Sequence, residues 1–169
     1  MKKLLIGLSA SVVLLLSGCA TSSVTGVGDE SAKMATQLKK ACDLNDGARC
    51  SNLGVLYFFG EGVKRNYSKA KEYYTKACNL NFGAGCSNLG ALYYDGDGVK
   101  QDYVMARKYY IKGCNLDHGV GCTYLGYIYY FGLGVKKDYT KAKKYFYKGC
   151  KLKDYDACGA YNEMKRSKK

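Results

Sequence analysis

Residues 78–113 read CNLNFGAGCSNLGALYYDGDGVKQDYVMARKYYIKG, and this stretch decides the fold because it is repeated. The 36 residues before it (42–77) and the 36 residues after it (114–149) each match it at 21 positions. A fixed period of this length is typical of a repeat array, in which each unit packs mainly on its neighbours. We therefore interpret the chain of 169 residues as one short array.

The sequence pattern of each unit predicts two helices joined by a turn. In residues 84–95 the apolar side chains recur at helical spacing and form one stripe, which includes Leu89 and Leu92. Residues 96–99 interrupt this pattern with two glycines, and Asp102 is suited to cap a second helix. No stretch alternates with period two for long enough to predict a strand. The prediction is an all-α fold, an α-solenoid of helix–turn–helix units.

The repeated motif A-x-x-Y-Y-x-K-[AG]-C, followed by L-G-x-[LI]-Y-x-x-G-x-G-V, resembles Sel1-like repeats, which are related to tetratricopeptide repeats. With a cysteine pair in every unit, the chain also resembles the Helicobacter cysteine-rich protein family. The resemblance implies a repeat domain over residues 32–169, with units at 42–77, 78–113 and 114–149 and atypical capping segments at both ends. The motif residues are Ala70, Tyr73, Tyr74, Lys76, Leu89, Gly90, Tyr93, Gly96, Gly98 and Val99, with counterparts 36 residues further on.

Eight of the nine cysteines are spaced as C-x7-C four times over. Pairing between units, such as Cys50 with Cys78, would leave Cys42 and Cys158 unpaired at opposite ends of the array. Pairing within each C-x7-C leaves none over. We therefore predict four disulfides that each join the second helix of one unit to the first helix of the next: Cys42–Cys50, Cys78–Cys86, Cys114–Cys122 and Cys150–Cys158.

This pairing requires the chain to reverse between the two cysteines. Along one continuous helix they would lie about 12 Å apart, which is beyond the reach of a disulfide. We expect the reversal at Gly47, Gly83 and Gly119; Tyr155 replaces the glycine in the last linker. The alternative is a zinc site, but zinc favours shorter cysteine spacings with histidine partners, and His118 is the only histidine. We predict no metal and no cofactor.

The N terminus resembles a bacterial lipoprotein signal. A basic start precedes an apolar run from Leu4 to Leu16, which is shorter than a membrane-spanning helix. The following tetrapeptide resembles a lipobox, which implies that residues 1–18 are removed and that lipid is attached to Cys19. We interpret residues 19–31 as the lipidated cysteine and a flexible tether. The resulting expectation is an exported, membrane-anchored protein of the bacterial cell envelope, with Ala20 favouring the outer membrane; ordinary secretion or an uncleaved anchor is the alternative.

Binding is expected on the inner face of the solenoid, which the first helices line in tetratricopeptide repeats. Candidate contacts are Asn52 and Asn88, whose amides can hold an extended peptide backbone. Tyrosines at Tyr94, Tyr124 and Tyr127 offer large contact area at low entropic cost. The alternative is that the asparagines face solvent or a neighbouring loop. Hydroxyl residues assigned to the same face are Ser51, Ser87 and Thr123.

The formal charge of +13 is organised in columns of lysines and arginines, largely on the second helices. We interpret these columns mainly as a solvated outer face, with an anionic partner as the alternative. Export argues against nucleic acid as the partner. The columns are Lys64, Lys100 and Lys136; Lys76, Lys112 and Lys148; and Lys71, Arg107 and Lys143.

No catalytic constellation is evident in the sequence. Ser68 and Lys71 match the S-x-x-K motif of serine β-lactamases, but neither S-D-N nor K-T-G occurs, and Ser68 is expected to cap a helix. Some members of the cysteine-rich family are labelled β-lactamase, so a weak penicillin-binding protein or β-lactamase is the alternative function. The prediction is a membrane-tethered scaffold that binds a protein or peptide.

Overall fold

The computed structural model describes residues 26–166, with side chains from residue 30 onward. This part of the chain contains eight helices and no strand, which confirms the predicted all-α fold. Cys19 and the predicted signal segment lie outside the described residues. The helices are α1 (Gly26–Asp43), α2 (Gly47–Phe59), α3 (Tyr67–Asn79), α4 (Gly83–Asp95), α5 (Tyr103–Asn115), α6 (Gly119–Phe131), α7 (Tyr139–Lys151) and α8 (Tyr155–Arg166).

Three helix pairs, α2–α3, α4–α5 and α6–α7, repeat along the array. We call α2, α4, α6 and α8 the first helices, and α1, α3, α5 and α7 the second helices. Every helix packs on the next one in the chain, and the first helices also pack on one another: α2 on α4, α4 on α6 and α6 on α8. Within residues 26–166 the second helices make no comparable contact with one another. The first helices therefore form the inner face of the curved array, and the second helices form its outer face.

The second helices α3, α5 and α7 begin at side-chain caps. Asp102 accepts hydrogen bonds from the backbone N–H groups of Val104 and Met105, as predicted, and Asn66 caps α3 in the same way. Ser68 is the second residue of α3 and not its cap, so the expected capping role of this serine was wrong. The first helices α2, α4 and α6 end at glycines in the left-handed conformation, which only glycine adopts without steric cost.

All four predicted disulfides are present, with Cα–Cα distances of 4.4–4.7 Å. Each joins a second helix to the following first helix. Because every one of these eight sulfurs is bonded to another sulfur, the alternative of a cysteine zinc site does not apply. The chain does not reverse at the glycines that we expected. The reversal between the cysteines occurs at residues with φ between 55° and 66°, which are Asn45, Asn81, Asp117 and Lys153.

The glycines at the starts of first helices are required for space. A Cβ atom on Gly83 would lie 3.0 Å from His118 Cβ and 3.2 Å from Leu116 Cβ, since the next linker passes directly over it. The same crowding holds at Gly47 and Gly119. At the equivalent position of α8, no linker follows in the described residues, and Tyr155 is 89 % exposed. The repeat therefore tolerates a large side chain only there.

The core lies largely between units, where the aromatic ring of a second helix is buried with apolar side chains of the following first helix, as Tyr74 is with Leu89 and Leu92. Tyr110 packs against Gly90, where a Cβ atom would lie 2.9 Å from the ring. The other repeated tyrosines are only partly buried. They stack in pairs within each unit, with ring centroids 5.5–5.6 Å apart: Tyr57–Tyr73, Tyr93–Tyr109 and Tyr129–Tyr145. The buried sets are Leu53, Leu89 and Leu125, and Tyr74, Tyr110 and Phe146.

Helix α1 extends into the segment that we assigned to the tether. It begins at Gly26, so residues 26–31 are helical. Ser31 lies 36 residues before Tyr67 and packs against Gly62 of the first turn, as Tyr67 packs against Gly98 of the second. The start of α1 is thus held by the same repeat contact that holds the later second helices.

Candidate functional site

Three of the predicted groove residues lie close together at the seams between neighbouring first helices. Tyr124 of α6 stacks on Tyr110 with ring centroids 5.0 Å apart, and meets Tyr94 of α4 edge-on at 5.3 Å. Tyr127, one turn further along α6, meets Tyr124 at 6.2 Å. Tyr94, Tyr124 and Tyr127 are all half-buried, so each ring both packs on its neighbours and presents an accessible edge. This arrangement offers a preformed aromatic surface to a ligand.

The two asparagines have different surroundings. Asn88 Nδ2 donates a hydrogen bond of 3.4 Å to Ser51 Oγ on the preceding first helix. Asn52 is exposed and lines a cavity of about 650 Å³ between α1 and α2, where no preceding first helix lies among the described residues. The structure therefore does not present Asn52 and Asn88 as a matched pair, although each retains polar atoms for a ligand.

The hydroxyl residues assigned to the inner face are buried between helices, so this prediction was wrong. Ser51, Ser87 and Thr123 are at most 3 % exposed. Thr123 Oγ1 donates to the carbonyl of Gly119, one helical turn earlier. These residues directly precede Asn52, Asn88 and Tyr124 in the sequence. Helical periodicity alone does not show which positions are buried between neighbouring helices and which face solvent.

The aromatic surface extends beyond the tyrosines chosen from the sequence. Tyr103 contacts Tyr94, and Tyr127 contacts both Phe131 and the buried Phe146. Tyr139 continues the row through Tyr130 and Phe131. Tyr103 and Tyr139 were missed, but the sequence held a signal for them. Both begin a second helix, and tyrosine recurs at that position every 36 residues.

At the end of the row, α6, α7 and α8 enclose a cavity of about 1260 Å³, which we call the C-terminal groove. One side is aromatic, formed by Tyr127, Phe131 and Phe146 among others. The other side is α8, which contributes three charged side chains: Asp156, Glu163 and Arg166. Phe131 is 53 % exposed, so a large ring faces solvent here without a covering element in the described chain.

Charge is segregated between the helices of the three repeated pairs, whereas the terminal first helix α8 carries both signs, with Lys165 and Arg166 in its last turn. Helices α4 and α6 contain no lysine or arginine, and α2 contains only Arg49. The second helices α3, α5 and α7 contain three, three and five basic residues. The two basic columns on the second helices therefore follow the outer face, whereas Lys64, Lys100 and Lys136 lie in the turns within the units. Helices α4 and α6, which carry most of the aromatic surface, are free of basic residues.

The charges that act on the pKa values of the tyrosines differ in the same way between the aromatic surface and the rest of the array. Burial raises the pKa of Tyr127, and the carboxylates of Asp156 and Asp154 raise it further. The pKa of Tyr124 is raised by burial and by nearby carboxylates, including Asp95. Tyr145 lies outside this surface, and although burial raises its pKa, Lys141 and Arg107 act to lower it. The inner aromatic surface thus has acidic surroundings in a chain with formal charge +13.

A serine–histidine pair that the sequence did not suggest joins two units. His118 Nδ1 lies 2.9 Å from Ser87 Oγ, and burial lowers the pKa of the imidazole. Ser87 is 1 % exposed and is enclosed by Gly113 and Gly121. Because a nucleophile must be reached by its substrate, this hydrogen bond serves packing between units.

Ser68 and Lys71 do not form the arrangement that the S-x-x-K motif requires. Ser68 is exposed, and Lys71 Nζ lies 6.0 Å from the centre of the Tyr93 ring. No hydrogen bond joins the serine to the lysine in the described structure. Residues 30–166 also contain no group of three or more histidine, cysteine or acidic side chains suited to hold a metal ion.

Residues 50–82, 83–118 and 119–154, together more than half of the chain, match the Sel1 repeat family. The chain belongs to the Sel1 repeat family. Among solved structures, the Helicobacter pylori cysteine-rich protein B is 38 % identical, with a TM-score of 0.65 over 82 % of this chain and 99 % of that one. A Sel1 repeat protein from Oxalobacter formigenes is 28 % identical, with a TM-score of 0.74 over 79 % of this chain and 54 % of that one.

Two curated Helicobacter pylori proteins match shorter parts of this Sel1 repeat chain. HcpC is 46 % identical over 52 residues, which cover 27 % of this chain and 18 % of HcpC. HcpD is 36 % identical over 71 residues, which cover 34 % of this chain and 23 % of HcpD. Both are named as β-lactamases. This chain thus matches less than a quarter of the length of either relative.

Four disulfides indicate an extracytoplasmic protein, because such bonds persist in oxidising compartments. Within the described residues, none of the helices combines the length and the apolar character that crossing a bilayer demands.

Proposed function

We propose that this Sel1 repeat protein is a scaffold of the bacterial cell envelope that binds a protein or peptide along its inner face. The Sel1 repeat fold supports a role in protein–protein interaction. The observation that carries the proposal is the continuous row of aromatic rings across α4, α6 and α7, which ends in the open C-terminal groove. Tyrosines are well suited to such a surface because they bury large areas at low entropic cost.

Site-specific photocrosslinking tests where the ligand binds. A photoreactive phenylalanine analogue at Phe131 lies on the inner face, and the same analogue at Tyr147 lies on the outer face with similar exposure, 53 % against 47 %. In the native host we expect one discrete adduct from position 131 and none from position 147. Tyr127→Ala should remove that adduct while leaving the melting temperature within a few degrees. Equal crosslinking from both positions would contradict an inner-face site.

Asn52 and Asn88 are proposed as secondary contacts to the ligand backbone. Because an asparagine amide both donates and accepts, the double variant Asn52→Ala with Asn88→Ala should weaken crosslinking at position 131. Asn162→Ala is the control, since it removes an exposed amide from α8 at a position outside the predicted set. Unchanged crosslinking in the double variant would exclude the two asparagines but not the aromatic surface.

We also propose that lipid attached to Cys19 anchors this scaffold in the membrane. An export signal, a lipobox-like tetrapeptide and the oxidised cysteines all support it. Labelled palmitate should enter the wild-type protein, and Cys19→Ser should abolish both the label and recovery in the outer-membrane fraction. Membrane recovery of Cys19→Ser without label would contradict the anchor.

β-Lactam hydrolysis is the second candidate, and the names of HcpC and HcpD are what favours it. The exposure of Ser68 and the lack of a hydrogen bond between it and Lys71 in the described structure weigh against it. Turnover of a chromogenic cephalosporin by the oxidised protein, abolished by Ser68→Ala, would support this candidate. Activity that survives Ser68→Ala would exclude the S-x-x-K motif as its source.

A further inference from the structure

The C-terminal groove combines two features that recur wherever proteins bind cationic side chains. Its aromatic side has Tyr127 and Phe131 nearly parallel, with ring centroids 6.2 Å apart, and Phe146 edge-on to Tyr127 at 5.0 Å. Aromatic faces attract cations through the ring quadrupole, and a guanidinium additionally stacks on them because it is planar.

The opposite side of the groove supplies carboxylates. Asp156 and Glu163 are separated by seven residues of α8, so they lie on one side of the helix about 10 Å apart. Both are exposed, and neither has an ion pair among the described residues. Arg166, the last residue of α8, also lines the groove, which leaves one net negative charge among the lining side chains.

Side chains on the helices around the C-terminal groove add to its negative charge. Asp154, at the start of α8, lies near enough to raise the pKa of Tyr124 and Tyr127, and the charges acting on these two phenols are all carboxylates or other tyrosines. The α6 wall carries no basic residue. The nearest part of α7 contributes Tyr139 and Phe146 to the groove. Its lysines at 143 and 144 do not line the groove but an adjoining hollow between α7 and α8, which shares Tyr139 and Met164 with it.

We propose that the C-terminal groove binds an arginine side chain of the peptide ligand, with the guanidinium against Tyr127 and Phe131 and paired with Asp156 or Glu163. The inference rests on the proposed peptide-binding function and names the residue type that this end of the surface selects. Arginine fits better than lysine because its planar head can stack on a ring and still donate to a carboxylate.

The test uses the full oxidised chain and two matched peptides, Ac-Ala-Ala-Arg-Ala-Ala-NH2 and the same peptide with uncharged citrulline in place of arginine. Binding is followed by NMR through the ring resonances of Tyr127, Phe131 and Phe146. We expect the arginine peptide to bind about tenfold more tightly, which is the size of a charge-assisted contact with an aromatic face. Asp156→Asn with Glu163→Gln should reduce this preference to less than about twofold.

The control is Glu61→Gln with Glu72→Gln, which changes the net charge equally but lies in the first unit, far along the array. It should keep the tenfold preference. The proposal is overturned if the two peptides bind equally, if the preference survives in Asp156→Asn with Glu163→Gln, or if neither peptide shifts a groove resonance. These results would not contradict the proposed peptide-binding function, because that function is tested by the crosslinking at position 131, which does not depend on ligand charge.

A second copy of this chain is the other occupant that the charge pattern allows, because its outer face is basic. Light scattering distinguishes the two. A monomer at the concentrations used for NMR supports the peptide site. Self-association that Asp156→Asn with Glu163→Gln abolishes would overturn the proposal and assign the groove to a neighbouring copy.

Discussion

Tyr110 of the second unit is fully buried where it packs on α6, and its hydroxyl oxygen has no hydrogen-bond partner among the described residues. Burial raises the pKa of this phenol, so the group stays neutral. Phe146 occupies the same position in the third unit without a hydroxyl. The oxygen of Tyr110 therefore contributes nothing that the repeat requires, and its desolvation is unfavourable.

Tyr110→Phe should stabilise the protein. Removing a buried, unpaired hydroxyl relieves a desolvation cost of about 1 kcal/mol, so we expect the free energy of unfolding in urea to rise by that amount. Tyr74→Phe is the matched control in the first unit, since the oxygen of Tyr74 is not among the unpartnered buried atoms and burial raises its pKa only to about 12. Its change should stay within about 0.5 kcal/mol. A loss of stability in Tyr110→Phe would show that the oxygen has a partner.

At the scale of helices and linkers, the repeat period was sufficient to predict each helix pair and each disulfide. Residues 84–95 were predicted as a helix, and α4 spans Gly83–Asp95. The position of the chain reversal could not be predicted, because a glycine indicates either a left-handed turn or a lack of space. At Gly83 the cause is space, and the crowding residues Leu116 and His118 lie more than 30 positions further along the chain.

Gly119→Tyr tests the role of this crowding. A Cβ atom at position 119 would lie 3.0 Å from Asp154 Cβ and 3.4 Å from Leu152 Cβ, so the linker between α7 and α8 would have to move. We expect a loss of about 1–3 kcal/mol in the free energy of unfolding, typical of overpacking. The reciprocal variant Tyr155→Gly, at an exposed position without a following linker, should change it by less than about 1 kcal/mol. Equal stability of Gly119→Tyr and wild type would contradict the close linker packing.

At the scale of the whole molecule, the aromatic residues of the site lie within the repeats and its acidic residues lie in the terminal helix α8. This difference explains why the site was only partly predictable. Tyr94, Tyr124 and Tyr127 could be predicted from the sequence because aromatic residues are conspicuous at first-helix positions. The acidic surroundings could not be predicted, since Asp156 and Glu163 belong to an atypical terminal helix that the repeat pattern does not describe. Their relation to Tyr127 arises only when α8 packs on α6 and α7.

The disulfides should stabilise the array unevenly, because neighbours hold each unit in place. Among the described residues, helix α8 packs mainly on α6 and α7, and it supplies the acidic wall of the C-terminal groove. A bridge that closes a loop of about eight residues contributes roughly 2.5 kcal/mol in the chain-entropy model. Replacing Cys150 and Cys158 by alanine should therefore release α8 locally and leave the earlier units folded.

Hydrogen exchange measures this directly. In the variant lacking Cys150–Cys158, amides of residues 155–166 should exchange up to roughly 70-fold faster, which corresponds to the loss of about 2.5 kcal/mol, while those of α4 keep their protection. Removing Cys78–Cys86 instead should raise exchange on both sides of the break, since that bridge joins units in the middle of the array. If both variants opened the whole chain equally, the array would unfold as one cooperative unit and the groove would depend on every bridge alike.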